Sequence, residues 1–522
     1  MNKTPFHKGL IFVLIAALLV GGVLLFTRVI GGDAFSREEA QHGLFGLWIT
    51  RDIQTLDWGN FWYDTQRQMN WPFLHSWILS LFFLIFGAGY TSARLLSLLL
   101  FVATIVLMYL LANKLCREKG WQIGILACVL GLTSPMVLRF ATENMLEGLG
   151  VVLFLAAAYL YTVCEERKDM LHYILLTLLF GLALYTNYIY AYFIVPSFIV
   201  MTVSKLGPIF FEAHKVSRQG EKAALHFVWW AYRKLIVLGF VLLFLGGWFS
   251  FHFSRKFMLL MNYIFKYSGG LVTQSFWEGL FYYPQVIINH LTFSPVLGFF
   301  LLLSLFLPFI AVRYRHLNRL YVYAWTPLVL ATFTVPTKAP QMIYIIVPFI
   351  FLIFSAVAMA LISDLKQNSK RFKILMALLV IVLLSSSGRL YSSFAGQSGE
   401  NMKHVLAYYY SAIPDKQANV ATIFNLQHLN PEGVKFHFRD WQGRVMADLD
   451  LSEEELLADG EYFLTLLIDE DSAYQKEVTD DSIYRWNAWL KEKEMEGKIR
   501  LFDSRRFDQI KVTANIFLKL NQ

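Results

Sequence analysis

The sequence predicts an α-helical polytopic membrane protein with a small α/β domain at its C-terminal end. Three observations carry this reading. Hydrophobic residues make up 56% of the 522-residue chain and charged residues only 16%, against about 25% charged in soluble domains, so the excess apolar surface needs lipid around it. Apolar stretches recur from Gly9 to Leu384, each of roughly the 17–25 residues that cross a ~30 Å hydrocarbon layer as a helix. Beyond about residue 389 the composition turns polar, with acidic runs in SEEELLADG and DEDSAYQKEVTDD.

The first stretch, 9–27, follows Lys3 and Lys8 but has no small-residue cleavage site and is too long for a secretory signal, so it counts as a helix. Short cytoplasmic loops concentrate Lys and Arg. Basic clusters stand at Lys3/Lys8, Lys114/Arg117/Lys119, Arg167/Lys168, Lys205 through Lys234, Arg313/Arg315/Arg319 and Lys366 through Lys373. Placing all of them inside gives about eleven spans with the N-terminus in and the C-terminus out: 9–27, 90–112, 121–138, 147–163, 171–187, 188–204, 235–252, 295–312, 319–335, 342–362 and 374–388. This distribution also explains the net charge of +8 without nucleic acid. Cys116, Cys128 and Cys164 lie in or beside these spans and offer neither a disulfide framework nor zinc spacing.

Counting Pro72 to Gly87 as a crossing would put the next basic cluster outside, so this Trp- and Phe-rich segment reads as a helix in the outer interface. Long outer segments are then expected at 28–89 and 253–294, and such loops carry structure or function. In the first, EEAQHGLFGLWI has apolar residues at helical spacing and should lie on the membrane surface. The expected division is a membrane domain over 1–390 and an extracytoplasmic α/β domain over 391–522. In the latter, NVATIF, VKFHFRD, YFLTLLI, IRLFDS and IKVTANIFLKL read as strands, with helices around Met402–Ser411 and Ser482–Lys493.

Charged residues gather where these loops meet the outer face. GGDAFSREEAQHGLFG brings Asp33, Glu38 and Glu39 there, and ATENMLEG brings Glu143 and Glu147 to the mouth of the next helix pair. Carboxylates beside lipid are costly unless solvated or paired, which makes them site candidates, although a solvated loop explains any one of them equally well. Lys338, between two prolines in VPTKAPQMIY, suits an anionic phosphate as a compact point charge, or else it snorkels. His75, in WPFLHSW, reads first as an interfacial hydrogen-bonding residue and second as a substrate-polarising one.

The order of these pieces resembles the GT-C superfamily of membrane glycosyltransferases, in its branch of protein O-mannosyltransferases and lipid A aminoarabinose transferases. REEAQHGL is similar to that branch's Asp-Glu-Ala motif, with Glu38 standing where the family has Asp. WPFLHSWILSLFFLIFGAGYTSARLLSLL follows the order Pro-Pro-Leu, Phe-Gly, Ala-Arg-Leu, with Phe73 in place of the second Pro. RFATENMLEG resembles the second acidic site, and Lys338, Tyr344 and Pro348 the late Lys-Tyr-Pro order. The oligosaccharyltransferase branch is disfavoured because WWDxG is missing.

The resemblance implies an inverting transferase with a polyprenyl-phosphate-linked sugar donor and a lipid, glycan or protein acceptor, in a bacterial inner membrane. It implies Glu38 as general base, Glu39 as its positioning partner, Glu143 as a second acceptor-side carboxylate, and Lys338 with Arg94 or Arg139 as phosphate contacts; His75 and Tyr344 are further candidates. No cofactor is certain from the sequence, and the help of a divalent metal stays open. The rival reading is a lipid or solute transporter or flippase, against which stand the gathering of charges at the outer face and the lack of an internal repeat. A second rival is a catalytically inactive scaffold whose outer domain binds a partner.

Overall fold

A computed structural model of the chain describes residues 3–68, 71–116, 119–167, 170–187, 189–190, 192–201, 271–272, 276–310, 317–335, 337–365, 387–394, 399–447, 451–478 and 481–520. The expected span 235–252, residues 374–386 of the expected span 374–388, the basic clusters Lys205–Lys234 and Lys366–Lys373, and Arg313 and Arg315 lie outside these residues. In chain order the first helices are α1 (Lys3–Leu24), α2 (Arg37–Thr55), α3 (Trp58–Gln66), α4 (Leu74–Phe86) and α5 (Tyr90–Leu115). They are followed by α6 (Gly120–Thr133), α7 (Pro135–Thr142), α8 (Glu147–Arg167), α9 (Met170–Leu184) and α10 (Tyr192–Met201). After a two-residue strand β1 (Leu271–Val272) come α11 (Phe276–His290), α12 (Pro295–Ile310) and α13 (Asn318–Phe333). Strand β2 (Thr337–Lys338) pairs antiparallel with β1 and leads into a 3-10 turn, Pro340–Ile346, and α14 (Val347–Leu365).

Among the described residues four helices are long and apolar enough to cross a membrane: Pro5–Ile30, Tyr90–Leu115, Glu147–Cys164 and Pro340–Ser363. The protein is an integral membrane protein. In the first of them Val13, Ala17 and Leu24 are buried, whereas Ile11, Phe12, Ile15, Leu18, Leu19 and Phe26 are exposed on the outside of the bundle, where lipid satisfies them. The expected span 121–138 is not one straight helix. It breaks between α6 and α7, which are bent by 65°. Pro135 is the cause: it lacks an N–H and drives Ser134 into extended backbone, and the Ser134 side chain then accepts from the Val137 N–H to start α7.

Outside the bundle α2 starts at a capping box formed by Ser36 and Glu39. It crosses α4 where Gly46 lets the helices meet, since a Cβ there would fall 2.8 Å from Leu79. The expected interfacial helix is α4, which buries His75, Ser76, Leu79, Ser80 and Phe83 and exposes Leu81, Ile85 and Phe86.

After α15 (Ser387–Phe394) the chain forms α16 (Met402–Ala412), β3 (Val420–Thr422), α17 (Pro431–His437), β4 (Val445–Met446) and α18 (Glu453–Asp459). It ends with β5 (Tyr462–Ile468), α19 (Ser482–Met495), β6 (Ile499–Phe507) and β7 (Val512–Lys519). The sheet order is β4-β3-β5-β7-β6, parallel among the first three and antiparallel after that. VKFHFRD is helical rather than a strand. Asn430 caps the Gly433 N–H and Pro431 occupies the first helical turn, and these local signals override the alternating apolar pattern. Trp486 and Leu490 of α19 cover one face of the sheet with Phe463, Ile499 and Phe517. The core on the other face continues without a break into Phe35, Ala40, Leu44, Leu79, Phe83 and Tyr90 of the first outer loop and its helices.

Candidate active site

The site grows from the first turn of α2. Glu39 folds back in the capping box so that Oε2 accepts from the Ser36 N–H at 3.0 Å. Its carboxylate also receives Nε and Nη2 of Arg94 at 2.9 and 3.1 Å, and its Oε1 accepts from the Asn144 N–H at 2.8 Å. Asn144 Nδ2 returns a bond to the Glu39 carbonyl at 3.0 Å. Burial alone would raise this carboxyl, but Arg94 and the two backbone donors hold it below the ordinary range. Glu39 is therefore a rivet that joins the start of α2 to α5 and to the loop after α7. Arg94 is buried with it, and its Nη1 donates to the Asp33 carbonyl at 2.9 Å.

Glu38 is turned the other way, exposed at the surface. The protein around it withdraws enough water to raise its carboxyl above the usual range, and the charge of Arg139 opposes that rise. Arg139 lies on α7, where Nε donates to Glu143 Oε1 at 2.8 Å one helical turn on, and its side chain is 57% exposed. The Glu143 carbonyl accepts from Ser97 Oγ of α5 at 2.6 Å. Burial raises the Glu143 carboxyl, with Arg139 pulling down and Glu39 pushing up. Glu147 is buried at the first residue of α8, and its Oε2 has no hydrogen-bond partner among the described residues. The two acidic segments, distant in sequence, meet through Glu39 and Asn144.

Other expected site residues stand elsewhere. Lys338 was expected as a cation at the lipid boundary, but it is 5% exposed and its Nζ donates to the carbonyls of Ala331, Thr332 and Val335 at 2.7, 2.6 and 2.5 Å. It caps the C-terminal end of α13, where free carbonyls attract a cation. Burial pushes its ammonium down to about 8. Tyr344 packs its ring on Phe140 at 4.4 Å, behind α7. His75 is fully buried with both ring nitrogens unpaired among the described residues; its ring lies 5.5 Å from that of His42, and burial pushes it down to about 4.

Residues 70–221, which take in α4 through α10, match the family described as dolichyl-phosphate-mannose-protein mannosyltransferase. No curated protein matches the whole sequence closely enough to count as a relative. Among solved structures, ArnT from Cupriavidus metallidurans in the apo state superposes with a TM-score of 0.58 at 13% identity, covering 98% of both chains. The same protein bound to undecaprenyl phosphate gives a TM-score of 0.60 at 13% identity over 97% of both chains. The chain has the fold of ArnT. The archaeal oligosaccharyltransferase AglB from Archaeoglobus fulgidus, in complex with an inhibitory peptide and a dolichol-phosphate, is more distant, with a TM-score of 0.51 at 12% identity over 87% of this chain and 69% of that one.

On this fold the exposed Glu38 carboxylate lies within the field of the exposed Arg139 guanidinium, an arrangement suited to taking a proton beside an anionic group. Among the described residues no group of three or more His, Cys, Asp or Glu side chains is arranged to hold a metal ion. Sequence reasoning missed Asn144, although it directly follows Glu143, and it missed the buried partner of Asp33. The Asp33 Oδ2 accepts from the Tyr474 hydroxyl at 2.6 Å, a contact across 441 residues that no local pattern announces.

Proposed function

We propose that this protein is an inverting glycosyltransferase that moves a sugar from a polyprenyl-phosphate donor to an acceptor hydroxyl at the outer membrane face. The observation that carries the reading is the Glu39–Arg94–Asn144 network, which joins the start of α2, with its exposed Glu38, to the segment that carries Glu143 and its partner Arg139. In the proposed step Glu38 accepts the acceptor's hydroxyl proton as that oxygen bonds to the anomeric carbon. The bond from this carbon to the phosphate oxygen breaks, and its electron pair leaves on the polyprenyl phosphate. A phosphate is already a good anionic leaving group, so it needs charge stabilisation more than a proton, and Arg139 is the cation with donors to spare. Glu143 orients that guanidinium and completes the acceptor side. Arg94 and Lys338 are assigned to holding the framework, because their donors are committed to Glu39 and to backbone carbonyls.

The same reading keeps about eleven spans with the N-terminus inside, a membrane domain over 1–390, an extracytoplasmic domain over 391–522, and residence in a bacterial inner membrane. Support for a lipid-linked donor comes from the ArnT structure that holds undecaprenyl phosphate and the AglB structure that holds a dolichol-phosphate. The test uses purified protein in lipid nanodiscs with polyprenyl-phosphate sugars, and measures release of the polyprenyl phosphate and labelling of an acceptor. Glu38→Gln keeps the side chain's shape but cannot take a proton, so turnover should drop about 10²–10⁴-fold with donor binding retained. Full turnover in Glu38→Gln would show that the base lies elsewhere.

A further inference from the structure

The loop that carries Glu38 is gripped from two sides. From the membrane side Arg94 Nη1 donates to the Asp33 carbonyl at 2.9 Å. Gly32 passes so close that an added Cβ would lie 2.6 Å from that same Nη1. From the outer side Tyr474 donates its hydroxyl to Asp33 Oδ2 at 2.6 Å, while Asp33 Oδ1 accepts the Ala34 N–H at 2.7 Å. Phe35 lies between Tyr90 of α5, edge-to-face at 4.5 Å, and Phe436 of α17, tilted at 4.8 Å, and Arg37, the residue before Glu38, hydrogen-bonds Asn425.

Tyr474 is itself fixed. It sits in a 3-10 turn, Ala473–Glu477, whose cap Ser472 accepts from the Tyr474 N–H and donates to the Ile510 carbonyl at 2.6 Å. Both Asp33 and Tyr474 are buried, and a hydrogen bond between a phenol and a carboxylate is charge-assisted and directional. A solvated hinge would not need such a bond.

We propose that Tyr474 is a positioning residue of the active site: through Asp33 it sets the place of Glu38, so that the outer region completes the catalytic loop. This rests on the assignment of Glu38 as base. A shift of about 1 Å in a reacting group can cost on the order of 100-fold, and loss of one of several restraints should cost less, about tenfold.

The test is Tyr474→Phe in the full chain in nanodiscs, a change that removes the hydroxyl and keeps the ring. The expected result is about a tenfold lower kcat with donor KM within about twofold, since Arg139 is untouched. The pH–rate midpoint should also move upward, because a Glu38 that drifts from Arg139 loses the charge that opposes its raised carboxyl. Backbone amides of 33–40 should exchange with deuterium faster than in wild type, and those of 150–160 at the same rate. Wild-type exchange over 33–40, or a uniformly scaled rate profile with no shift of midpoint, would overturn the proposal. If Glu38→Gln proves fully active, the base assignment fails instead, and the exchange over 33–40 still decides whether Tyr474 holds the loop.

Discussion

Replacing Arg94 with methionine separates a framework role from a substrate-binding one. In the native site the Glu39 carboxylate receives two N–H groups from Arg94 and one each from Ser36 and Asn144, all within 3.1 Å. Removing the guanidinium leaves two backbone donors and no cation in contact with a carboxylate that is 2% exposed. Breaking a buried ion pair in this way costs about 3–5 kcal/mol, because a charge stays buried without compensation. The Asp33 carbonyl loses its donor as well, which adds about 1 kcal/mol. Thermal unfolding of the purified protein should therefore fall by on the order of 5 °C or more. The double variant Arg94→Met/Glu39→Gln should recover part of the loss, since no buried charge remains. A variant with wild-type thermal stability but a raised donor KM would refute this reasoning and make Arg94 a phosphate contact.

Arg139→Ala removes an exposed guanidinium, so stability should barely change while donor KM rises about tenfold or more; an unchanged KM would remove Arg139 from the donor site. Activity should fall as pH drops through the Glu38 midpoint, since a base must be ionised, and that midpoint should lie above the ordinary 4.5 because the surrounding protein withdraws water and raises the carboxyl more than Arg139 lowers it. A rate that is flat down to pH 4 would contradict it. Lys338→Met strips three carbonyls of their donor at the end of α13 and should cost about 1–3 kcal/mol of stability with donor KM unchanged, as read from unfolding and steady-state assays on the same sample. A stable variant with weakened donor binding would restore Lys338 to the phosphate.

Apolar run length alone carried much of the architecture: the spans at 90–112 and 147–163 fall within α5 and α8, and the helix expected at 72–87 is α4. The capping pattern at Ser36 and Glu39 was also legible, because it is local. Its partner was not. Glu38 and Glu39 are adjacent carboxylates in the sequence, and only the arrival of Arg94 from 55 residues away tells which is buried. Lys338 misled for a related reason: its isolation among apolar residues suits an anionic headgroup and a helix terminus equally, and the carbonyls it caps lie within seven residues of it. Around α17 a strand-like alternation competed with Asn430 and Pro431, and the cap won because it satisfies backbone donors at the turn.

The core shared between the outer sheet and the first loop also bears on biogenesis. Phe35, Leu44, Phe83 and Tyr90 leave the ribosome more than 300 residues before their partners Phe436, Leu464 and Ile516. Through nearly all of synthesis these residues have only one another to pack against, and the side that meets the sheet stays uncovered. Burial of about 25 cal/mol per Å² then becomes available only when the last strands arrive. A chain stalled before β3 (Val420–Thr422) would have its membrane helices yet leave this side of the patch uncovered, so the joint between the two regions is completed only at the end of synthesis.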